Sequence, residues 1–223
     1  METNRAKGVP QVPAKRKIFI VHGTSRPWHT QRHQIAWMGK LEAYFTSTLQ
    51  AECRTFLWSG RLLGPWSSQV IERCWYSLCD FHRLDSLGLE DDAERIIFAK
   101  SNGAIILENV FERYGARLPS PAFELELRVA TPLSGTALHA KLFQRRYLLT
   151  SDRDLLFRVG RAVLRPLLPS HDYPDPRQQS IELRGLRHYD FNTNAEICLA
   201  NQSVGLFDFY AQIITGTGGA SAL

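Results

Sequence analysis

At 223 residues, with 44% hydrophobic, 22% charged and 11% aromatic residues, the chain has the composition of one folded domain, and wholesale disorder and collagen-like or linker-like chains are excluded. Twenty-seven Lys and Arg against 22 Asp and Glu leave a formal charge of +5. That balance suits an anionic substrate or membrane surface and is too weak for a dedicated nucleic-acid binder, so no nucleic-acid partner is expected.

The first 16 residues are polar, lack periodicity and read as a mobile leader. They hold no apolar core before a cleavage site, and no apolar run in the chain reaches the roughly 18 residues of a membrane span. A cytoplasmic location is therefore expected, with export by a dedicated machine equally compatible. KIFIVHG (17–23) then runs four apolar residues into a glycine, the pattern of a strand buried on both faces of a parallel sheet. CRTFLWSG (53–60), ERIIFAKS (94–101), ELRVATP (126–132) and RRYLLTS (145–151) follow, and IELRGL (181–186) is a weaker sixth strand.

The connections are long enough for crossover helices. Over 34–50, Ile35, Met38, Leu41, Tyr44, Phe45, Thr48 and Leu49 fall on one helical stripe, and Val70, Ile71, Cys74, Trp75 and Leu78 do so over 68–82. A third helix starts at Asn102 and is stopped by Gly115. VGLFDFYAQII (204–214) closes the domain as a helix before a frayed tail at 216–223. This alternation predicts an α/β fold: one domain over 17–215, with a mostly parallel central sheet, right-handed crossovers and helices on both faces.

In an open α/β sheet, ligands bind beyond the carboxyl ends of the strands. The first strand ends His22-Gly23-Thr24, the third Lys100-Ser101-Asn102-Gly103, and the fifth Ser151-Asp152-Arg153-Asp154; the sixth is followed by Arg187-His188-Tyr189-Asp190. A serine, a carboxylate and a histidine thus stand at three strand ends in chain order. Each alone has a plainer role: a serine or aspartate there caps a helix, and a lone histidine sits in a core or on a surface. Ser101 carries the most information. Small Ala99 and Gly103 flank it at two residues' distance, so a tight strand-to-helix turn can aim its hydroxyl out of the sheet and set a helix N-terminus behind a developing oxyanion. Lys100 beside it either favours negative charge on the serine or points to solvent. The cysteines (Cys53, Cys74, Cys79, Cys198) lack CxxC spacing and the histidines lack metal-ligand spacing, so neither a disulfide framework nor a metal is expected. His139 is a minor alternative base, and His22 is read as orienting its own loop.

Taken in order, IFIVHGT, FLWSG, IIFAKSNGAIIL, VATPLSGT, SDRD and LRHYDF resemble the α/β-hydrolases of the lipase/esterase type. The resemblance implies Ser101 as nucleophile, His188 as general base and Asp154 as the acid that orients it, with Asp152 the competing carboxylate. It also implies the backbone N–H groups of Asn102 and Thr24 as oxyanion donors, and no cofactor. Three residues depart from the family pattern: Ala99 replaces the first glycine of G-x-S-x-G, Ala104 stands where a further glycine often follows, and Lys100 replaces a residue that is commonly histidine. The implied activity is cleavage of a small-molecule or lipid ester through an acyl-enzyme. Thioesters, amides and acyl transfer share that intermediate.

Trp28, Trp58 and Trp66 are candidates for an apolar acyl pocket, core packing being the plainer role of Trp58. The stretch 155–178 is the one insertion long enough for a small lid. Arg158, Arg161 and Arg165 on one helical face there suit peripheral contact with an anionic membrane surface. The contrasting expectation is a non-catalytic scaffold of the same fold, used as a binding module. Nothing in the sequence specifies an oligomeric state.

Overall fold

The computed structural model describes residues 15–23, 31–61, 64–84, 92–131, 137–156, 158–159, 178–199 and 201–217. Thr24, Trp28, Arg161 and Arg165, most of the 155–178 stretch, and most of the expected leader and tail lie outside the described residues. The main strands are β1 (Arg16–Val21), β2 (Glu52–Phe56), β3 (Glu94–Lys100), β4 (Phe123–Val129), β5 (Phe143–Ser151) and β6 (Gln178–Leu183). They form one all-parallel sheet in the order β2-β1-β3-β4-β5-β6. The helices are α1 (Gln31–Leu49), α2 (Ser68–His82), α3 (Gly103–Tyr114) and α4 (Leu206–Thr215).

Successive side chains of a strand face opposite sides, and that alternation divides the core in two. Ile18 and Ile20 of β1, Ile96 and Phe98 of β3, and Leu125 and Leu127 of β4 pack with Met38, Leu41 and Phe45 of α1 and Tyr210 and Ile213 of α4. Phe19, Val21, Ile97 and Ala99 pack instead with Ile71, Cys74 and Leu78 of α2 and Ile106, Leu107 and Val110 of α3. Each fully buried large apolar side chain contributes about 1.5–3 kcal/mol, so these two layers anchor the helices on both faces.

Because β1 lies between β2 and β3, the chain's progress across the sheet reverses there. The connections on either side of such a switch point leave on opposite faces, and a crevice opens at the strand ends.

Three boundaries differ from the sequence reading. β1 begins at Arg16, inside the expected leader, because Arg16 pairs with Glu94 at 2.6 Å and the Lys15 carbonyl accepts from the Glu94 N–H at 2.8 Å. β2 stops at Phe56, after which Leu57 is 48% exposed while Trp58 turns into the core. Residues 204–205 belong not to the closing helix but to an antiparallel hairpin, β7 (Glu196–Leu199) and β8 (Gln202–Gly205), absent from the sequence reading. At four residues each, these strands are too short to show a period of two. Asn201, at φ 67°, makes their turn, a conformation asparagine tolerates. The four cysteines are free thiols. Among the described residues no helix is long and apolar enough to cross a membrane.

Candidate active site

Ser101 immediately follows β3, at φ 51°. A side chain seldom takes this left-handed conformation, which costs on the order of 1–3 kcal/mol and persists where the surroundings impose it. Here they do. The Ser101 N–H donates to the Val129 carbonyl at the end of β4 at 2.9 Å, and its own carbonyl accepts from the Ala104 N–H at 3.1 Å as α3 begins.

Two glycines let the turn close. A Cβ on Gly103 would stand 2.7 Å from the His22 carbonyl oxygen and 2.8 Å from the Val21 carbonyl carbon, so only glycine lets α3 press on the end of β1. A Cβ on Gly23 would stand 2.5 Å from the Ser101 Cβ and 3.1 Å from its Oγ. The turn after β1 and the serine are therefore in direct contact at the switch point, and Gly23 was legible in the sequence only as a strand end.

Asp154 lies in the turn after β5, with no exposed surface. Its N–H donates to the Ser151 carbonyl at 3.2 Å, and its carboxylate oxygen Oδ2 lies 2.9 Å from His188 Nδ1. With neutral imidazole that contact is an Nδ1–H donating to the carboxylate, which leaves Nε2 as an acceptor. His188 sits in a tight turn after β6. The Asp190 carboxylate accepts from the Arg187 N–H at 2.7 Å, and buried Leu186 and Phe191 anchor the turn on either side.

Asp152 has a different task. Its side chain is exposed, and Oδ1 accepts from the Gly185 N–H at 2.7 Å and from the Ser151 hydroxyl at 3.2 Å. The Gly185 bond first, then Ser151 and Arg153, hold its carboxyl below the ordinary carboxylate range. It ties the turn after β5 to the turn after β6. The two carboxylates the sequence left in competition thus divide the work: Asp154 meets His188, and Asp152 braces the backbone that carries it.

His22 is fixed in the first turn. Its Nδ1–H donates to the Gly23 carbonyl at 2.7 Å, and Nε2 accepts from the Trp58 N–H at 3.3 Å. The Trp58 indole N–H returns a bond to the His22 carbonyl at 2.9 Å, and the rings stack. Burial, opposed by the backbone bonds to Gly23 and Trp58, brings the imidazole down to about 4, with Lys100 adding to the fall. His22 is therefore neutral at pH 7, and Trp58, 4% exposed, is a structural partner in the core.

His139 lies elsewhere, 3.6 Å from Glu108 of α3 and against Phe111. Lys100 does not point to solvent. It is 4% exposed, over the rings of Trp37 and Tyr189. Asn102, the proposed oxyanion donor, takes helical dihedrals as the N-cap of α3, where a helix concentrates partial positive charge.

An open cleft of about 470 Å³ reaches His188 and Tyr189. Leu155, Leu156, Asp152, Arg153, Arg158 and Arg187 form its other walls. Ser101, 9% exposed, is not among them.

The sheet order, the helices on both faces and the serine turn at the switch point are those of an α/β-hydrolase fold. A protein of unknown function from Agrobacterium tumefaciens, described as a candidate α/β hydrolase, matches at 13% identity and a TM-score of 0.54, over 92% of this chain and 88% of its own. A hyperthermophilic esterase from the archaeon Pyrobaculum calidifontis matches at 10% identity and a TM-score of 0.53, over 82% of this chain and 72% of its own. An uncharacterized protein from Bacillus cereus ATCC 10987 matches at 13% identity and a TM-score of 0.49; 84% of this chain spans 58% of that longer one. No protein-family model and no curated protein matches the sequence.

Proposed function

We propose that the chain is a serine hydrolase of carboxylic esters that forms an acyl-enzyme on Ser101. The observation that carries this reading is the buried Asp154 carboxylate 2.9 Å from His188 Nδ1, at the same end of the sheet as the Ser101 turn. In this scheme Asp154 holds the Nδ1–H tautomer, and Nε2 takes the Ser101 proton as Oγ attacks the ester carbonyl carbon. The electron pair displaced onto the carbonyl oxygen faces the N–H groups proposed at Asn102 and Thr24. Collapse breaks the ester C–O bond, and the alcohol leaves with the proton from His188. Water then attacks the acyl-enzyme with His188 again as base, releasing the acid and restoring the serine. No cofactor takes part.

The cleft beside His188 suits a small-molecule or lipid ester with an apolar chain. Leu155 and Leu156 in its walls are 68% and 51% exposed beside Arg153 and Arg158, and Val159, next along the chain, is 52% exposed. That mixture supports the proposed peripheral contact with an anionic membrane surface. A second reading, a binding module without catalysis, draws on the absence of Ser101 from the cleft walls.

Labelling with a fluorophosphonate probe, read by intact mass and peptide mapping, separates the two. The hydrolase reading expects one adduct, on the Ser101 peptide, lost in Ser101→Ala and in His188→Ala while both variants stay folded. No adduct on the wild-type chain, with or without detergent, would overturn it in favour of the binding module.

A further inference from the structure

The reaction scheme leaves Lys100 unused. It continues the Ile96 and Phe98 row of β3, so strand alternation directs its side chain to the face that α1 covers. The ammonium lies 5.6 Å from the ring centre of Trp37, on α1, and 5.9 Å from that of Tyr189, the residue after His188. Aromatic faces attract a cation, more strongly once it is desolvated. The titratable groups around it are Asp154, the Tyr189 phenol and His22, whose imidazole feels the lysine's charge; the Tyr189 ring meets the His188 ring edge-on at 5.5 Å, and Asp152, Arg153, Arg158 and Arg187 line the cleft at His188.

We propose that Lys100 is a positioning residue of this site: its ammonium, seated against Trp37 and against Tyr189, the neighbour of His188, holds a buried cation beside the His188–Asp154 pair and so sets the proton affinity of the imidazole. This rests on the hydrolase reading above and adds to it a control over the pH at which the base works. With Lys100 charged, part of the carboxylate's field at His188 is cancelled, and the imidazolium is less favoured. When the lysine is neutral, or replaced by methionine, the carboxylate acts on His188 alone and the ring binds its proton more tightly. Burial pulls the ammonium down to about 7, against the opposing pull of Asp154. The lysine therefore changes charge in the neutral range. A general base must be unprotonated to accept the serine proton, so Lys100 extends the working range of His188 to lower pH.

The test is an NMR titration of the His188 ring in the full chain, for wild type, Lys100→Met and Lys100→Arg, beside the pH dependence of fluorophosphonate labelling. Methionine is expected to raise the His188 midpoint by about half a pH unit or more, roughly a threefold rise in proton affinity, and to move the acidic limb of labelling upward with it. Arginine keeps its charge throughout and is expected to hold the midpoint at or below the wild-type value. Equal midpoints in all three proteins would overturn the proposal, even if labelling weakened, because a purely structural lysine changes amplitude and not midpoint. If Lys100→Met does not fold, Trp37→Leu removes one wall of the slot from a different element and should shift the midpoint the same way by less; no shift there would count equally against the proposal. A shifted midpoint without labelling upholds the role of Lys100 and defeats the hydrolase reading. Labelling without a shift does the reverse.

Discussion

Asp152 and Asp154 stand two residues apart, carry the same chemical group, and are indistinguishable by residue type. Burial separates them: Asp154 has no exposed surface and meets His188, whereas exposed Asp152 meets the Gly185 N–H. Replacement by asparagine should therefore act very differently at the two positions. Asp154→Asn keeps the shape but no longer holds the Nδ1–H tautomer, and a loss of about 10⁴ in kcat is expected for such a change. Asp152→Asn retains a side-chain oxygen for Gly185 and should lower kcat/KM severalfold at most. Steady-state kinetics on an activated ester decides this, and comparable small losses at both positions would remove Asp154 from the scheme.

At the scale of elements, the turn from β3 into α3 depends on what stands beneath it. The left-handed Ser101 is held by the hydrogen bond that its N–H donates to β4, and α3 can start where it does only because Gly103 has no Cβ to drive into the backbone of β1. Backbone yields less than a flexible side chain, so Gly103→Ala should behave as an overpacked core. A loss of about 1–3 kcal/mol is expected, or a fall in Tm of about 2–12 °C for a chain of this size. Labelling at Ser101 should fall as well, since α3 cannot shift without moving the serine. A Gly103→Ala variant with wild-type Tm and wild-type labelling would show that the helix has room that its contacts deny.

The whole molecule carries a cost that the site does not explain. β4 sends Leu125, Leu127 and Val129 to the face of α1 and α4, and the alternate residues Glu126 and Arg128 to the other face, where Arg128 pairs with Glu108 of α3. Arg128 also pairs with Glu126 at 2.7 Å, and Arg146 of β5, opposite Glu126 in register, pairs with it at 2.6 Å. Burial alone would raise the Glu108 carboxyl. Arg128 first, then His139 and Arg146, outweigh it and hold the group at about 2, against an ordinary 4.5.

The folded state thus binds this proton less readily than the unfolded chain. The stabilisation is complete above about 4.5 and is lost as pH falls through about 2. Thermal melts should show Tm falling across that window. Glu108→Gln should flatten this part of the profile and cost about 3–5 kcal/mol at neutral pH, because two buried guanidiniums then share one carboxylate. A variant with an unchanged acid profile would place the acid sensitivity elsewhere.

The sheet was legible from the sequence because buried parallel strands are written as continuous apolar runs, KIFIV and ERIIFA among them, and period alone tells them from the striped helices between. Ser101 was legible for a related reason: a sharp turn needs small neighbours, and Ala99 and Gly103 are visible as letters. The hairpin of β7 and β8 was not, because two strands of four residues each are too short to carry a period. Four further features are relations between distant segments: the contact of Gly23 with Ser101, the choice of Asp154 over Asp152 beside His188, the bracing of Gly185 by Asp152, and the burial of Lys100 between α1 and the His188 turn. Local sequence determines which face a residue presents and whether the chain can turn. Only the packed sheet determines which carboxylate is stripped of water and what stands within 3 Å of it, and those two quantities decide the chemistry.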